Sequence, residues 1–307
     1  MKARLPEQIR VLERGWLSSN NIVFLEGDRA TLVDSGYVGH VEQTLVLLRE
    51  ALAGRRLARL VNTHSHSDHI GGNARIKRDH GCDIVIPSGI EEHVLAWDEE
   101  ALLLSQACQR GDPFVHDAVL RAGEEFEMGG LAWKAHAAPG HDMEALVFHC
   151  PAERLLISGD ALWQDGFGIV FGEILGHPGA LRATRETLEL IAGLEVETVI
   201  PGHGAPFSDF DAAVERAFRR QAAFEADPQR MGRNALKACF TFNLLDLERL
   251  PLSGLGSYLE SVPFFRDVGA RILGKPTAEL ADWLLEELLR ARAVSVEGGF
   301  IIPRMAA

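Results

Sequence analysis

The sequence predicts a layered α/β fold followed by a mostly helical C-terminal segment, and three observations predict it. Short β-type runs alternate with amphipathic helical stretches over roughly the first 210 residues. From about Ser208 onward the pattern turns mostly helical. The charge balance shifts in the same place: residues 216–307 hold 13 Lys/Arg against 11 Asp/Glu, or +2, which subtracted from a net −13 leaves −15 on residues 1–215. A layered α/β domain over 1–215 and a helical, winged-helix-like domain over 216–307 are therefore expected.

The elements follow in order. Arg10–Leu12, Ile22–Leu25 and Ala30–Asp34 are short β-type runs separated by Gly/Asn/Asp turns, and predict an antiparallel meander. Val41–Leu52 carries apolar residues at 41, 45, 48 and 52, a helical stripe closed by Gly54, and Leu57–Val61 reads as a buried strand ending at Asn62. A second block gives a strand at Asp83–Ile86, helical segments around Glu91–Gln109, and strands at Glu124–Glu127, Leu131–His136, Ala145–His149 and Leu155–Ser158. Ala180–Ala192 is an amphipathic helix, and Val196–Ile200 is a strand that ends in the turn Pro201-Gly202-His203-Gly204. Near the end, Thr277 is placed to cap a helix with the stripe Leu280, Trp283, Leu284 and Leu288. Ala293–Val296, Gly298-Gly299 and Phe300–Ile302 then predict a hairpin, so the last unit reads as helix plus wing.

Composition narrows the function classes. A chain of 307 residues with 47% apolar and 24% charged residues is globular, not disordered or fibrous. Its net charge of −13 repels phosphate backbones and anionic headgroups, so neither nucleic acid nor a membrane is an expected partner. The N-terminal MKARLPEQIRVLERG lacks the apolar stretch of a secretion signal, and no run has the roughly 18 apolar residues of a membrane span, which predicts a cytoplasmic protein. Cys82, Cys108, Cys150 and Cys239 show no metal-pair spacing and read as reduced thiols.

The chemistry concentrates in His64-Ser65-His66-Ser67-Asp68-His69, directly after a predicted strand. Three imidazoles and a carboxylate on one loop are what a borderline metal such as Zn²⁺ requires. His64 and His66 can point one way while Asp68 and His69 turn toward a second position, so the loop can begin two adjacent sites. Further candidates stand at three later strand ends: His141 in Ala-Pro-Gly-His-Asp, Asp160 in Ser-Gly-Asp, and His203 in Pro-Gly-His-Gly. Each sits on a Gly-containing turn that can bend a ligand toward a common point.

The motifs THSHSDH, PGHD, SGD and PGHG, in that order and at those separations, resemble those of the metallo-β-lactamase-fold hydrolases over roughly the first 210 residues. The resemblance implies an αββα sandwich with two metals between the sheet edges. It implies His64, His66 and His141 as ligands of one metal, Asp68, His69 and His203 of the other, and Asp160 as the bridging carboxylate. Asp34 in Leu-Val-Asp-Ser-Gly matches the family's early Asp, which supports a ligand without being one. The same family includes hydroxyacylglutathione hydrolases, acyl-homoserine lactonases and β-lactamases. After Asp160 the chain reads Ala-Leu-Trp-Gln-Asp-Gly-Phe-Gly, which only partly resembles the glutathione-thioesterase pattern.

Two divalent ions roughly 3.5–4 Å apart can hold a hydroxide at neutral pH, polarise a carbonyl and stabilise a leaving group. The expected function is thus a binuclear metal-dependent hydrolase of a thioester, lactone or ester, with Asp68 orienting the hydroxide and moving its proton. Zinc is the expected metal; Fe, Mn or Ni also suit imidazole and carboxylate. The expected substrate is a small molecule with an apolar acyl group. The rival readings are a phosphodiesterase or RNA endonuclease, a regulatory protein that keeps the metals but works by binding, and a one-iron persulfide dioxygenase. The complete second ligand set, with Asp68 and His203, favours two metals over one.

Trp163, Phe167 and Phe171 follow Asp160 and read equally well as pocket lining or core. His40, His80, His93, His116, His136, His149 and His177 have no companions at ligand spacing and read as surface or hydrogen-bonded core. Arg216, Arg219 and Arg220 form a basic cluster interleaved with Glu215 and Glu225, which reads as a solvated helix face. The terminal unit lacks a Lys/Arg-rich recognition helix, so packing beside the active site or homodimerisation is expected of it.

Overall fold

Two sheets lie face to face with helices on their outer sides. The computed structural model describes residues 4–304, and residues 1–3 at the charged start of the chain lie outside that span. The first sheet holds β1 (Ile9–Leu12), β2 (Asn21–Glu26), β3 (Arg29–Val33), β4 (Arg56–Val61), β5 (Asp83–Pro87) and β6 (Ala118–Leu120), side by side in chain order. Its first three strands form the expected antiparallel meander, and β3 to β6 run parallel. The second sheet holds β7 (Glu125–Met128), β8 (Leu131–Ala137), β9 (Leu146–Cys150), β10 (Leu155–Gly159) and β11 (Thr198–Pro201), in the order β11-β10-β9-β8-β7. Only the β10–β11 pair is parallel, because a crossover separates those two strands.

Strand periodicity builds the layers, since successive side chains point to opposite faces. Ile22 and Phe24 of β2 meet Trp133 and Ala135 of β8 and Phe148 of β9 between the sheets. Val23 and Leu25 turn outward under α1 (Val41–Leu52), with Leu45 and Leu48, and under α3 (Asn73–His80), with Ile76. On the opposite outer face Val147, Leu156 and Val199 meet α7 (Ala180–Ala192) through Leu188 and Ile191. The short α2 (Ser67–Ile70), α4 (Glu91–Ala96) and α5 (Leu104–Ala107) decorate the first half, and α6 (Phe171–Leu175) precedes α7 in the crossover.

The C-terminal part comprises α8 (Phe210–Ala226), α9 (Pro228–Leu247), α10 (Leu255–Ser261), α11 (Pro263–Leu273) and α12 (Thr277–Arg290). Its small sheet joins β13 (Val294–Glu297) and β14 (Phe300–Pro303) through Gly298 and Gly299, both at positive φ, as a two-residue hairpin turn demands. A third strand, β12 (Leu250–Pro251), pairs with β14 and carries too few residues to show in the sequence. Two expectations shift. Helix α8 runs without interruption through 215 and 216, and the core that holds Val199 and Leu156 continues into Leu236, Phe240 and Phe264, so a boundary at that point would cut a helix and a shared core. Pro276, not Thr277, takes the N-cap of α12: its backbone is extended and Thr277 is already the first helical residue, its hydroxyl donating to Glu260.

Among the described residues no helix is long and apolar enough to cross a membrane. All four cysteines are free; Cys82, Cys150 and Cys239 are buried and Cys108 is exposed.

Candidate metal centre

The centre is assembled where strand ends from both sheets meet. β4 ends at Val61, and the next residues form a loop into α2, with His66 at its N-cap and Asp68 and His69 inside it. The loop is tied down by its backbone. Asn62 Nδ2 donates to His69 O at 3.1 Å, Ser35 N donates to the same oxygen at 2.8 Å, and Ser19 N donates to Asp68 O at 3.0 Å. The loop after β8 carries His141, whose neighbour Asp142 accepts from Ser65 N at 3.0 Å and Ser65 Oγ at 2.6 Å, so one histidine loop is fastened to the other. Asp160 follows β10 and His203 follows β11. Asn20 clamps that last turn, donating through Nδ2 to Pro201 O at 3.0 Å and Gly204 O at 2.7 Å.

All seven residues singled out in the sequence come together, in two clusters that a third, of His64, His69 and Asp160, joins. Ligand atoms of His64, His66 and His141 lie within 4.8 Å of one another, as do those of Asp68, His69 and His203. Asp160 stands between them: its Oδ2 is 3.3 Å from His141 Nε2 and 3.7 Å from His203 Nε2, and its Oδ1 is 3.6 Å from His69 Nε2. Asp68 Oδ2 lies 3.0 Å from His203 Nε2. None of the other seven histidines enters such a group among the described residues; His149, for one, bonds Glu195 O at 3.0 Å.

The donor set fits divalent ions. His64 Nε2 and His69 Nε2 are buried without a hydrogen-bond partner, a costly arrangement for polar nitrogens that an ion relieves. Their opposite nitrogens are both engaged. His64 Nδ1 meets Thr63 Oγ1 at 3.0 Å, His69 Nδ1 meets Asp34 Oδ2 at 2.8 Å, and His141 Nδ1 meets Ile169 O at 2.6 Å. Fixing one ring nitrogen in this way sets the tautomer and aims the other lone pair inward. Asp34 is itself oriented by Thr63, which donates to it through N at 2.9 Å and Oγ1 at 2.8 Å.

The electrostatics of the two groups differ. Burial, then the neighbouring imidazoles, hold His64 well below the usual imidazole range and His66 at about 4, and burial lowers His141 as well. These three offer neutral nitrogen lone pairs at neutral pH. Burial opposes charge at His69 and His203 too, yet the carboxylates outweigh it: Asp34, Asp68 and Asp160 raise His69, and Asp160 and Asp68 raise His203. Burial pushes Asp68 and Asp160 up, and the facing histidines more than reverse it, so both stay below the ordinary carboxylate range.

A pocket opens on the centre. Trp163 and Phe171 line it, whereas Phe167 is buried beneath in the core, so the two readings of those aromatics divide between the residues. Sequence reasoning missed Trp16, Leu103 and Phe242, which also line the pocket. Trp16 packs its ring 5.4 Å from that of Trp163 and 5.0 Å from that of His203. These residues lie far from any ligand motif in the chain, and only the fold brings them in. Trp163 Nε1 donates to Asp160 Oδ1 at 3.1 Å, which joins pocket wall to centre.

A sandwich whose adjoining strand ends gather five histidines and two aspartates defines a metallohydrolase-type centre. Residues 14–203 match the family model of the Metallo-beta-lactamase superfamily, and the chain belongs to that superfamily. It is similar to a hydroxyacylglutathione hydrolase of Methylococcus capsulatus, 29% identical over 197 residues, which is 63% of each chain. A hydroxyacylglutathione hydrolase of Pseudomonas aeruginosa is 30% identical over 158 residues, 50% of this chain and 52% of that one. The chain thus spans between about half and three-fifths of the length of these curated relatives. Among solved structures, a metallo-beta-lactamase family protein from Thermus thermophilus superposes with a TM-score of 0.59 at 21% identity, covering 98% of this chain and 100% of that one. The FEZ-1 metallo-beta-lactamase from Legionella gormanii gives 0.60 at 14% identity, covering 75% and 98%. At those identities the likeness is one of fold.

Proposed function

We propose that the chain is a binuclear metal-dependent hydrolase that cleaves an acyl bond, a thioester first among them, in a small molecule with an apolar acyl group. The observation that carries this reading is Asp160, whose carboxylate faces both histidine groups at once. On this reading His64, His66 and His141 hold one ion, Asp68, His69 and His203 hold the other, and Asp160 is shared. Zinc suits the donor set, as do Fe, Mn and Ni. Ions held there supply Lewis-acid polarisation of a carbonyl and lower the pKa of water.

The remaining work falls to the chain. Asp68, 3.0 Å from His203 Nε2, is on this reading the carboxylate that orients an attacking water and takes up its proton. Trp16, Trp163, Phe171 and Phe242 supply an apolar wall that binds the acyl group and excludes bulk water. Among the described residues no Lys or Arg lines this pocket, which favours an uncharged acyl group over a phosphodiester backbone or the two carboxylates of glutathione. The relatives named hydroxyacylglutathione hydrolase support the thioester as bond class. Four cysteines free of disulfides suit a cytoplasmic setting.

The test is elemental analysis of protein purified without chelator, paired with a panel of thioesters, lactones, β-lactams and phosphodiesters. Two metals per chain with turnover of an apolar thioester or ester is the expected result. One iron, or preferential cleavage of the phosphodiester, would overturn the reading.

A further inference from the structure

The basic cluster of α8 does not face open solvent by itself. Arg216, Arg219 and Arg220 on α8 converge with Arg230, Arg233 and Lys237 on α9 around a cleft of about 650 Å³. Among the described residues no carboxylate lines it, in a chain whose net charge is −13. Four of the six cations are matched from outside the cleft. Arg216 pairs with Asp209 at 2.6 Å, Arg219 with Glu215 at 2.7 Å, Arg233 with Asp227 at 2.9 Å and Lys237 with Glu287 at 3.3 Å. Arg220 and Arg230 have no ion pair among the described residues.

Arg220 is the informative one. Its guanidinium is fixed over two aromatic rings, 5.3 Å from the centroid of Phe167 and 5.2 Å from that of Phe224. Its Nε is buried and has no hydrogen-bond partner. Burial, then the charge of Arg230, lower its pKa, so two cations repel each other with no acid to offset them. Leaving a partly buried cation unpaired next to another is costly unless something else supplies the negative charge.

We propose that this cleft binds a small phosphate-bearing ligand, with Arg220 and Arg230 as the groups that recognise the phosphate. The charge balance selects the class. Two uncompensated arginines call for about two negative charges, which one phosphate monoester carries near pH 7 and inorganic diphosphate exceeds by about one, and the guanidinium fork matches phosphate oxygens. A polynucleotide fits less well, because Asp209, Glu215 and Asp227 ring the cleft through their pairs with its outer cations. The ligand would lie against the turn that follows β10. Arg216 Nε donates to Gln164 O at 2.7 Å, and a Cβ on Gly166 would stand 2.8 Å from Arg220 Cδ. That turn also presents Asp160 and Trp163 to the metal centre.

The test is calorimetric titration of the full, metal-loaded chain with inorganic diphosphate at low ionic strength, repeated on Arg230→Ala and Arg220→Gln. One diphosphate per chain is expected, with affinity falling about tenfold or more in either variant. Arg230 is exposed, so its variant keeps the fold even where Arg220→Gln does not. Absence of binding in the millimolar range overturns the proposal. So does binding unchanged in both Arg230→Ala and Arg220→Gln, which removes the two arginines as the recognising groups, and so does a short single-stranded RNA that binds more tightly than diphosphate and is lost in Arg230→Ala.

Discussion

Asp34 Oδ2 and His69 Nδ1 lie 2.8 Å apart with both side chains buried, and this contact links the first sheet to the metal centre. Asp34 contributes no atom to either histidine group, yet it holds the ring whose other nitrogen has no partner. Asp34→Ala strands the buried Thr63 N–H and hydroxyl, so it is expected to lower stability by about 1–3 kcal/mol, and to weaken metal retention by about 10–100-fold, the usual loss for such a supporting partner. Metal content after titration with a chelator measures it. Retention equal to that of the parent chain would show that His69 is positioned by burial alone.

Gly202 precedes His203, and a Cβ there would stand 2.2 Å from Asp160 Oδ1 and 3.0 Å from His69 Cε1. No side chain fits between the two groups at that point. Gly202→Ala is expected to displace Asp160, release one metal per chain and lower turnover by a factor of about 100 or more. Gly204→Ala is the control: it has a φ of +86 with open space around it, so it should cost about 1 kcal/mol of stability and leave the metal content unchanged. Elemental analysis and thermal melting of both variants separate the two effects.

Most of the sandwich and the seven residues that cluster at its strand ends are legible in the sequence, because both depend on local signals. Alternating strands such as β2 and ligand-bearing turns such as Pro201–Gly204 announce themselves within a few residues. What stays hidden depends on contacts between distant segments. Asn20 holds the His203 turn across 181 positions of chain, to Pro201 O, and nothing around it marks that role. Trp16 and Phe242 reach the pocket from opposite ends of the chain. The basic cluster of α8 looks solvated until α9 adds three more cations. β6 and β12 are too short to carry a period, and pairing with β5 and β14 defines them.

Trp16 is 41% exposed, an uncommon position for an indole, and its ring packs against Trp163 and His203 at the mouth of the pocket. It contributes apolar surface to a ligand more than to the core. Trp16→Ala should raise KM for an apolar acyl substrate by about tenfold, with kcat changed by less than about threefold. The unfolding free energy should stay within the range of an exposed substitution, about ±0.5 kcal/mol. A fall in kcat with KM unchanged would assign Trp16 to holding His203 instead.

Asp246 on α9 ties the C-terminal helices to the first sheet. It accepts from Tyr37 Oη at 2.9 Å and Arg110 Nε at 3.0 Å, while nearby Asn243 Nδ2 donates to Ala107 O at 2.8 Å. With α8 continuous through 215 and one apolar cluster shared across that point, the two parts should unfold together. Asp246→Ala leaves the Tyr37 hydroxyl, on a buried residue, without its acceptor, and should cost about 1.5–3 kcal/mol. Urea denaturation followed by tryptophan fluorescence and far-ultraviolet circular dichroism should give coincident transitions for both parent and variant, with the midpoint lowered in the variant. Two separated transitions would mean that the C-terminal helices fold as an independent unit, and the contacts of Asp246 would then lie between domains.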